Sequence, residues 1–422
     1  MPDLLVRGVT LPDASVTDLG VRGGRFADPA DLARPRVIDA AGLIALPGLV
    51  DLHTHLRQPG GEAAETVRSG TLAAARGGFT AVFAMPNTDP VTDTPARAAA
   101  VAALGRAEGS AEVVPVGAIT VGQLGTTVAD LAALHAELGL VFFSDDGRCV
   151  QDARVMRAAF RAAARFGGVL AQHSQDADLA GPTACCHESE LSERFGLEPW
   201  PAVAESAIVA RDVQLARDTG GRLHVCHVST AESVEVIRWA KARGIHVTAE
   251  VTPHHLLLGT ALLASGDTTF KVNPPLAGDE HIAAVRAGLA DGTIDAVATD
   301  HAPHTAAAKA QPFPLAKPGM VGLEQALGVV IETMVTPGRL SWADVARVLS
   351  SAPARIGGLA HQGRAVAVGE PANVTLIDPS RRTRVQRDNT ASLSRNNPYV
   401  GLDLPDPVRL TCWQGHVTHE DL

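Results

Sequence analysis

The sequence predicts an α/β protein: a (β/α)8 barrel with a small β-sandwich domain assembled from both chain termini. Three observations carry this. Eight apolar runs of strand character recur through the middle of the chain, roughly 35 residues apart, the rhythm of repeated βα units. The gaps between them are rich in Ala and Arg and poor in β-branched clusters, which favours helix. Both ends instead alternate in short runs broken by Gly and Pro. At ~100 to 200 residues per domain, 422 residues allow two or three domains, or one large barrel with an appendage.

Taken in order, residues 4–21 and 37–41 read as short β segments. Strand candidates follow at 44–55, 80–85, 113–119, 140–144, 169–173, 223–228, 246–251 and 296–299. Helices are expected at 65–76, 154–166, 204–219 and 231–243, covering a parallel sheet. Residues 365–377 and 408–417 return to the β pattern of the N-terminus. The expected division is therefore 1–47 plus 358–422 as one composite β domain, and 48–357 as the barrel.

Composition excludes several classes of function. Hydrophobic residues make up 46% and charged residues 19%, so the chain is not predominantly disordered. With 36 Lys plus Arg against 46 Asp plus Glu, the net charge of -10 argues against nucleic acid or anionic lipid as the main partner. The opening residues lack a basic segment followed by a long apolar one, which predicts a cytoplasmic protein. No uninterrupted apolar stretch is long enough for a membrane span. Cys149, Cys185, Cys186, Cys226 and Cys412 contain no C-x-x-C pair, and reduced thiols are expected.

The chemistry concentrates at strand ends. In Asp51-Leu52-His53-Thr54-His55-Leu56-Arg57 polar residues fall at every second position, so period two puts them on one face. In a barrel that face points inward, and two imidazoles converge near the C-terminal mouth. More ligand types close the later strands: Asp145-Asp146 the fourth, His173 the fifth, His227 the sixth, and Asp300-His301 with His304 the eighth. Singly each has a plainer reading, such as a turn at Asp145-Asp146-Gly147 or an N-cap at Asp300. Together, all at the same end of a barrel, they point to a metal centre. His224 is out of register with His227 and is expected to face elsewhere. Cys226 is expected to point outward into the helix layer, and Asp51 to sit deeper in the barrel.

These motifs resemble the amidohydrolase superfamily and, within it, the dihydroorotase family of the class I bacterial type. The likeness covers nearly the whole chain. Besides the first and last clusters, it rests on Met85-Pro86-Asn87-Thr88, Ser144-Asp145-Asp146-Gly147, His227-Val228-Ser229-Thr230, Glu250-Val251-Thr252-Pro253-His254-His255 and Asn273-Pro274-Pro275-Leu276. The resemblance implies a barrel of the metal-dependent hydrolase type. The activity it implies is the zinc-dependent, reversible interconversion of N-carbamoyl-L-aspartate and (S)-dihydroorotate plus water, third step of de novo pyrimidine (UMP) biosynthesis.

By position, the resemblance implies two Zn2+ per subunit bridged by Asp146 and hydroxide. His53, His55 and Asp300 would hold one, and His173 and His227 the other. Hydantoinase-like relatives bridge their metals with a carboxylated lysine on strand four. This chain has no lysine before Lys241, so only Asp146 can serve, which weighs against the hydantoinase and allantoinase branches. Asp300 is implied as the catalytic base and then acid. Substrate contacts are implied for His55, Arg57, Asn87, Asn273, His304, Pro318 and Gly319, with Arg57 offering a planar fork to a free carboxylate.

The sequence departs from the family's usual pattern in the loop His304 to Lys309, at Lys317-Pro318-Gly319, and around His173, where Gln172-His173-Ser174-Gln175-Asp176 keeps the ligand but lacks the customary Cys and Glu nearby. The expected partner is the small-molecule substrate. A homodimer is the default oligomer, and aspartate carbamoyltransferase is the candidate protein partner that the resemblance suggests. Two other readings stand beside this one: a different cyclic amidase, and a silent barrel that scaffolds that transferase. The second would be marked by lost ligands, and all six positions are filled.

Overall fold

The computed structural model describes residues 3–422. Met1 and Pro2, where the N-terminal expectation and the composite domain begin, lie outside the described residues. The central strands are β1 (Leu49–Thr54), β2 (Phe79–Ala84), β3 (Glu112–Pro115), β4 (Phe142–Ser144), β5 (Val169–Gln172), β6 (Arg222–Val225), β7 (Val247–Val251) and β8 (Ala296–Val297). Each pairs in parallel with the next within β1–β3 and β4–β8. Two parallel bridges join these sheets, Gly117 with Phe143 and Thr54 with His301. Backbone bonds Ser144 N–H to Gly117 O (3.0 Å) and His55 N–H to His301 O (2.9 Å) secure the seams and close the ring.

Alternation sorts the strand side chains into two layers. Leu52, Ala81, Phe83, Phe142, Val169, Ala171 and Ala296 fill the interior, closed at one end by Ala354 and Ile356. Leu49, Val82, Phe143, Leu170, Val225 and Val247 face outward onto helix residues such as Val67, Phe160 and Val213. The helices Val67–Arg76, Pro95–Glu108 and Ala231–Lys241 open on Thr66, Thr94 and Thr230, whose hydroxyls accept first-turn N–H groups.

The run at 44–55 is two strands, not one. Ile44–Pro47 pairs antiparallel with Val374–Ile377 in the terminal sheet, whereas Leu49–Thr54 enters the barrel. Gly48 makes the passage because a Cβ there would stand 2.3 Å from Thr80 Oγ1. The terminal sheet runs His416–Glu420, Val408–Trp413, Val374–Ile377, Ile44–Pro47, Leu4–Thr10, Val16–Arg22, Arg25–Ala27, and Arg36–Asp39 branches from Leu4–Thr10. It surrounds its own core of Leu4, Val6, Phe26, Ile38, Val374 and Leu410. No described helix is long and apolar enough to cross a membrane.

Candidate metal centre

The barrel's C-terminal ends bring six of the expected side chains together, and their donor atoms form two overlapping groups. His53, His55, Asp146 and Asp300 make one; Asp146, His173 and His227 make the other. Asp146 divides its oxygens between them. Its Oδ2 lies 3.2 Å from His53 Nε2 and 3.3 Å from His55 Nε2, and its Oδ1 lies 3.2 Å from His227 Nε2 and 3.4 Å from His173 Nδ1. Asp300 Oδ1 sits 3.0 Å from His55 Nε2 and 3.5 Å from His53 Nε2.

These distances suit a metal better than a hydrogen-bonded cluster. Zn–N and Zn–O bonds of ~2.0–2.2 Å in a tetrahedron put neighbouring donors roughly 3.3 Å apart. His53 Nε2 points between two carboxylates yet has no hydrogen-bond partner among the described residues. His173 Nδ1 and His227 Nε2 face each other at 2.9 Å. Burial alone would strip the His53 proton and protonate the acids, but Asp146 and Asp300 hold His53 well above its ordinary pKa. Burial likewise opposes the charge on Asp146, and His53, His173 and His227 overcome it and hold its carboxyl well below the usual range. The centre therefore favours bound positive charge.

Backbone strain helps aim these groups. Arg57 (φ 58°), His227 (φ 34°) and Asp300 (φ 45°) are non-glycine residues in the left-handed region. On β1, Val50 and Leu52 take the interior positions, and the pairing with β2 is irregular between Asp51 and Thr54. His53 lies within that irregularity and His55 just past it. Asp51 accepts bonds from the Thr299 and His53 N–H groups at 3.0 and 3.1 Å, and burial pushes its carboxyl up to about 7. Asp145 turns away from the donors and accepts the Thr120 N–H at 3.0 Å.

Two expectations for β6 need correction. His224 and Cys226 both face inward, because they share one parity and His227 joins the centre only through its positive φ at the strand's end. His224 packs on Phe142 and meets Glu250 Oε2 at 3.0 Å, while Glu250 Oε1 meets His53 Nδ1 at 2.7 Å. Cys226 belongs to the interior cluster, and its thiol lies in one donor group with His53 and Glu250. His224 and Glu250, given no role from the sequence, hold the ring of His53 from behind. The alternation of β7 offered the signal, since Val247, Ala249 and Val251 pack outward and leave Glu250 inside.

The other ligands are oriented too. His55 Nδ1 meets Asn87 Oδ1 at 2.9 Å, and His173 Nε2 meets Gln175 Oε1 at 3.0 Å. Gln175 thus fixes the ring of His173. Above the centre opens a cavity of about 290 Å³, lined by His55, Arg57, Asn87, Asp146, His173, Asn273, Asp300, His304, Pro318 and Gly319. Gln123, Arg148 and Lys317 also line it and were not anticipated.

Arg57 Nε donates to Pro303 O at 3.1 Å, which leaves its terminal nitrogens for a ligand. Burial, then the nearby Arg57 charge, lowers His304 to about 3. Gly319 (φ 142°) tolerates no side chain, since a Cβ would stand 2.9 Å from Ala302 and His304 atoms. A segment near the C-terminus reaches the same mouth. Asn396 donates to Ala302 O and Gly319 O, both at 3.0 Å, and Leu393 N–H donates to Glu65, which also meets His301.

Residues 42–233 match the family described as Dihydro-orotase-like, and residues 208–417 match the Amidohydrolase family. The chain is 53% identical to a dihydroorotase of Leifsonia xyli over 98% of this chain and 95% of that protein. It is 50% identical to one of Streptomyces coelicolor over 99% and 95%, and 49% identical to one of Mycobacterium tuberculosis over 99% and 98%. Among solved structures, dihydropyrimidinase of Brevibacillus agri superposes with a TM-score of 0.86 at 20% identity, covering 99% of this chain and 95% of that one. L-hydantoinase of Arthrobacter aurescens gives 0.86 at 24% identity over 100% and 97%. At such identities the structural likeness speaks for the fold alone.

Proposed function

The chain belongs to the dihydroorotase family of the amidohydrolases, and on that premise we propose that it interconverts N-carbamoyl-L-aspartate and (S)-dihydroorotate plus water in pyrimidine synthesis, using two zinc ions. The observation that carries this reading is Asp146, whose two oxygens face different histidine sets beneath a cavity bordered by Arg57. His53, His55 and Asp300 would hold one ion, His173 and His227 the other, and Asp146 both. Bound there, zinc would polarise the ring carbonyl and lower the pKa of water to about 7, so that a nucleophile exists at neutral pH.

The chain's own groups do the rest. The substrate carboxylate takes the free guanidinium nitrogens of Arg57, flanked by Asn87 and by a neutral His304. Asn273 and the backbone at Pro318 and Gly319 enclose the ring. Asp300 directs Oδ1 at His55, and its other oxygen takes a proton from the attacking water and returns it to the leaving ring nitrogen. Ring closure runs the same transfers backwards. The reading extends to residues 48–357 as the catalytic barrel, 1–47 plus 358–422 as the composite β domain, a cytoplasmic location, a homodimer, and association with aspartate carbamoyltransferase.

The test compares L-dihydroorotate with dihydrouracil, the same ring without its carboxylate. Arg57→Met should lower kcat/KM on dihydroorotate about 10- to 100-fold, the worth of a charged hydrogen-bonded pair, without affecting dihydrouracil. Equal turnover of both rings by the unaltered protein would contradict the proposal and favour another cyclic amidase.

A further inference from the structure

We infer that Lys309 is a positioning residue that ties the two walls of the substrate pocket together through main-chain carbonyls. It ends the short helix Ala306–Lys309 and is only 7% exposed. Its Nζ donates to Lys317 O at 3.0 Å and to Lys271 O and Gly319 O at 3.1 Å. An ammonium group has three protons and no acceptor, so this cage uses its whole capacity. None of the three partners is a carboxylate. Burial lowers Lys309 to about 7, so the charge is held here at a cost and not neutralised by an acid.

The three carbonyls belong to the segments that border the ligand. Lys271 lies two residues before Asn273, and Lys317 and Gly319 flank Pro318; Asn273, Pro318 and Gly319 all line the cavity. The segments also touch directly, since Gly319 N–H donates to Lys271 O at 2.9 Å and Lys317 N–H to Ala308 O at 3.1 Å. No ladder of a sheet supports them; Lys271 and Lys317 lie outside strands and helices. A buried carbonyl without a donor is unfavourable; Lys309 donates to Lys317 O and adds a second donor at Lys271 O, beside Gly319 N–H, and at Gly319 O, beside Asn396.

The inference rests on the reading of the cavity as the substrate site, and the experiment keeps the two separable. Lys309→Met and Lys309→Arg are made in the full chain, and amide hydrogen exchange is followed in peptides covering residues 268–274 and 305–320. Lys309→Met should speed exchange in both segments about tenfold or more, the loss of one charged hydrogen bond at minimum, while Lys309→Arg restores part of the protection. With dihydroorotate, KM should rise about tenfold while kcat changes little, because the walls bind substrate and transition state alike. In Lys309→Ala, added propylammonium should bring KM back towards the original value. Exchange no faster than in the unaltered protein would overturn the inference, whatever the activity. A collapse of kcat at unchanged KM would overturn it as well. If the unaltered protein turns over no dihydroorotate, the proposed function fails, and the exchange result still decides the role of Lys309. Should Lys309→Met not fold, Lys309→Gln is read by the same exchange criterion.

Discussion

Replacing Glu250 tests how the centre holds its first histidine. The Glu250 carboxylate is fully buried and bonds His53 Nδ1 at 2.7 Å and His224 Nε2 at 3.0 Å. Burial opposes its charge, and His224 and His53 hold it well below the usual carboxylate range. Once a metal displaces the second proton of His53, that bond would keep the remaining one on Nδ1, so that Nε2 presents a lone pair to the centre. In Glu250→Gln the amide oxygen can still face His53 if the amide nitrogen faces His224. His224 can adapt, because its Nδ1 meets the Thr248 hydroxyl at 2.9 Å, and a hydroxyl can donate or accept.

The cost of Glu250→Gln is then one charged bond turned neutral, about 1.4 kcal/mol or tenfold in metal affinity. Glu250→Met removes both acceptors and leaves His53 free to hold its proton on Nε2, so the loss should approach 100-fold, the upper range for such supporting groups. Zinc affinity by competition with a chromogenic chelator, with melting curves as a folding control, measures both. A folded Glu250→Met variant with unaltered zinc affinity would refute the reasoning.

Other outcomes follow from the same geometry. Gly48→Ala places a methyl against Thr80 and should lower the urea midpoint by the equivalent of about 1–3 kcal/mol; pairing it with Thr80→Ala should recover part of that loss. His304 has an ordinary pKa of 6.5 and is lowered to about 3 by burial and then Arg57, so the unfolded chain binds the extra proton between those values. Stability from this residue is present above 6.5 and falls as pH drops towards 3, by at most ~1.4 kcal/mol per pH unit. His304→Gln should flatten that acid limb in urea titrations at pH 4.5 and 7, and an unchanged slope would contradict the shift. Chelation should abolish activity, and adding zinc back should restore it.

The sequence carried the parts of the fold and site that depend on local period. Strand ends bearing His53, His55, Asp146, His173, His227 and Asp300 were legible because a repeated βα rhythm places them at one end, although His53, His55 and His227 reach the centre through departures from strict alternation, Val50 and Leu52 holding the inward positions of β1. What it hid depended on departures from period or on distant contacts. The irregular pairing near Asp51 and the positive φ of His227 shift side chains by a step, which is why Cys226 was expected outside. Gly48 splits one apolar run between two sheets, and only the packing of Thr80 reveals it. Asn396, Leu393 and Lys309 act through contacts with backbone or with residues far along the chain, and nothing in their neighbours announces that.

The central claim is that a centre bridged by Asp146 opens and closes the dihydroorotate ring, with Asp300 moving the proton. It is tested most directly by turnover of L-dihydroorotate and N-carbamoyl-L-aspartate by the purified, zinc-loaded protein, alongside Asp300→Ala with its metal content measured. The account predicts turnover in both directions by the unaltered chain and none by the variant. Folded, metal-loaded protein that converts neither compound, or an Asp300→Ala variant as active as its parent, would contradict it.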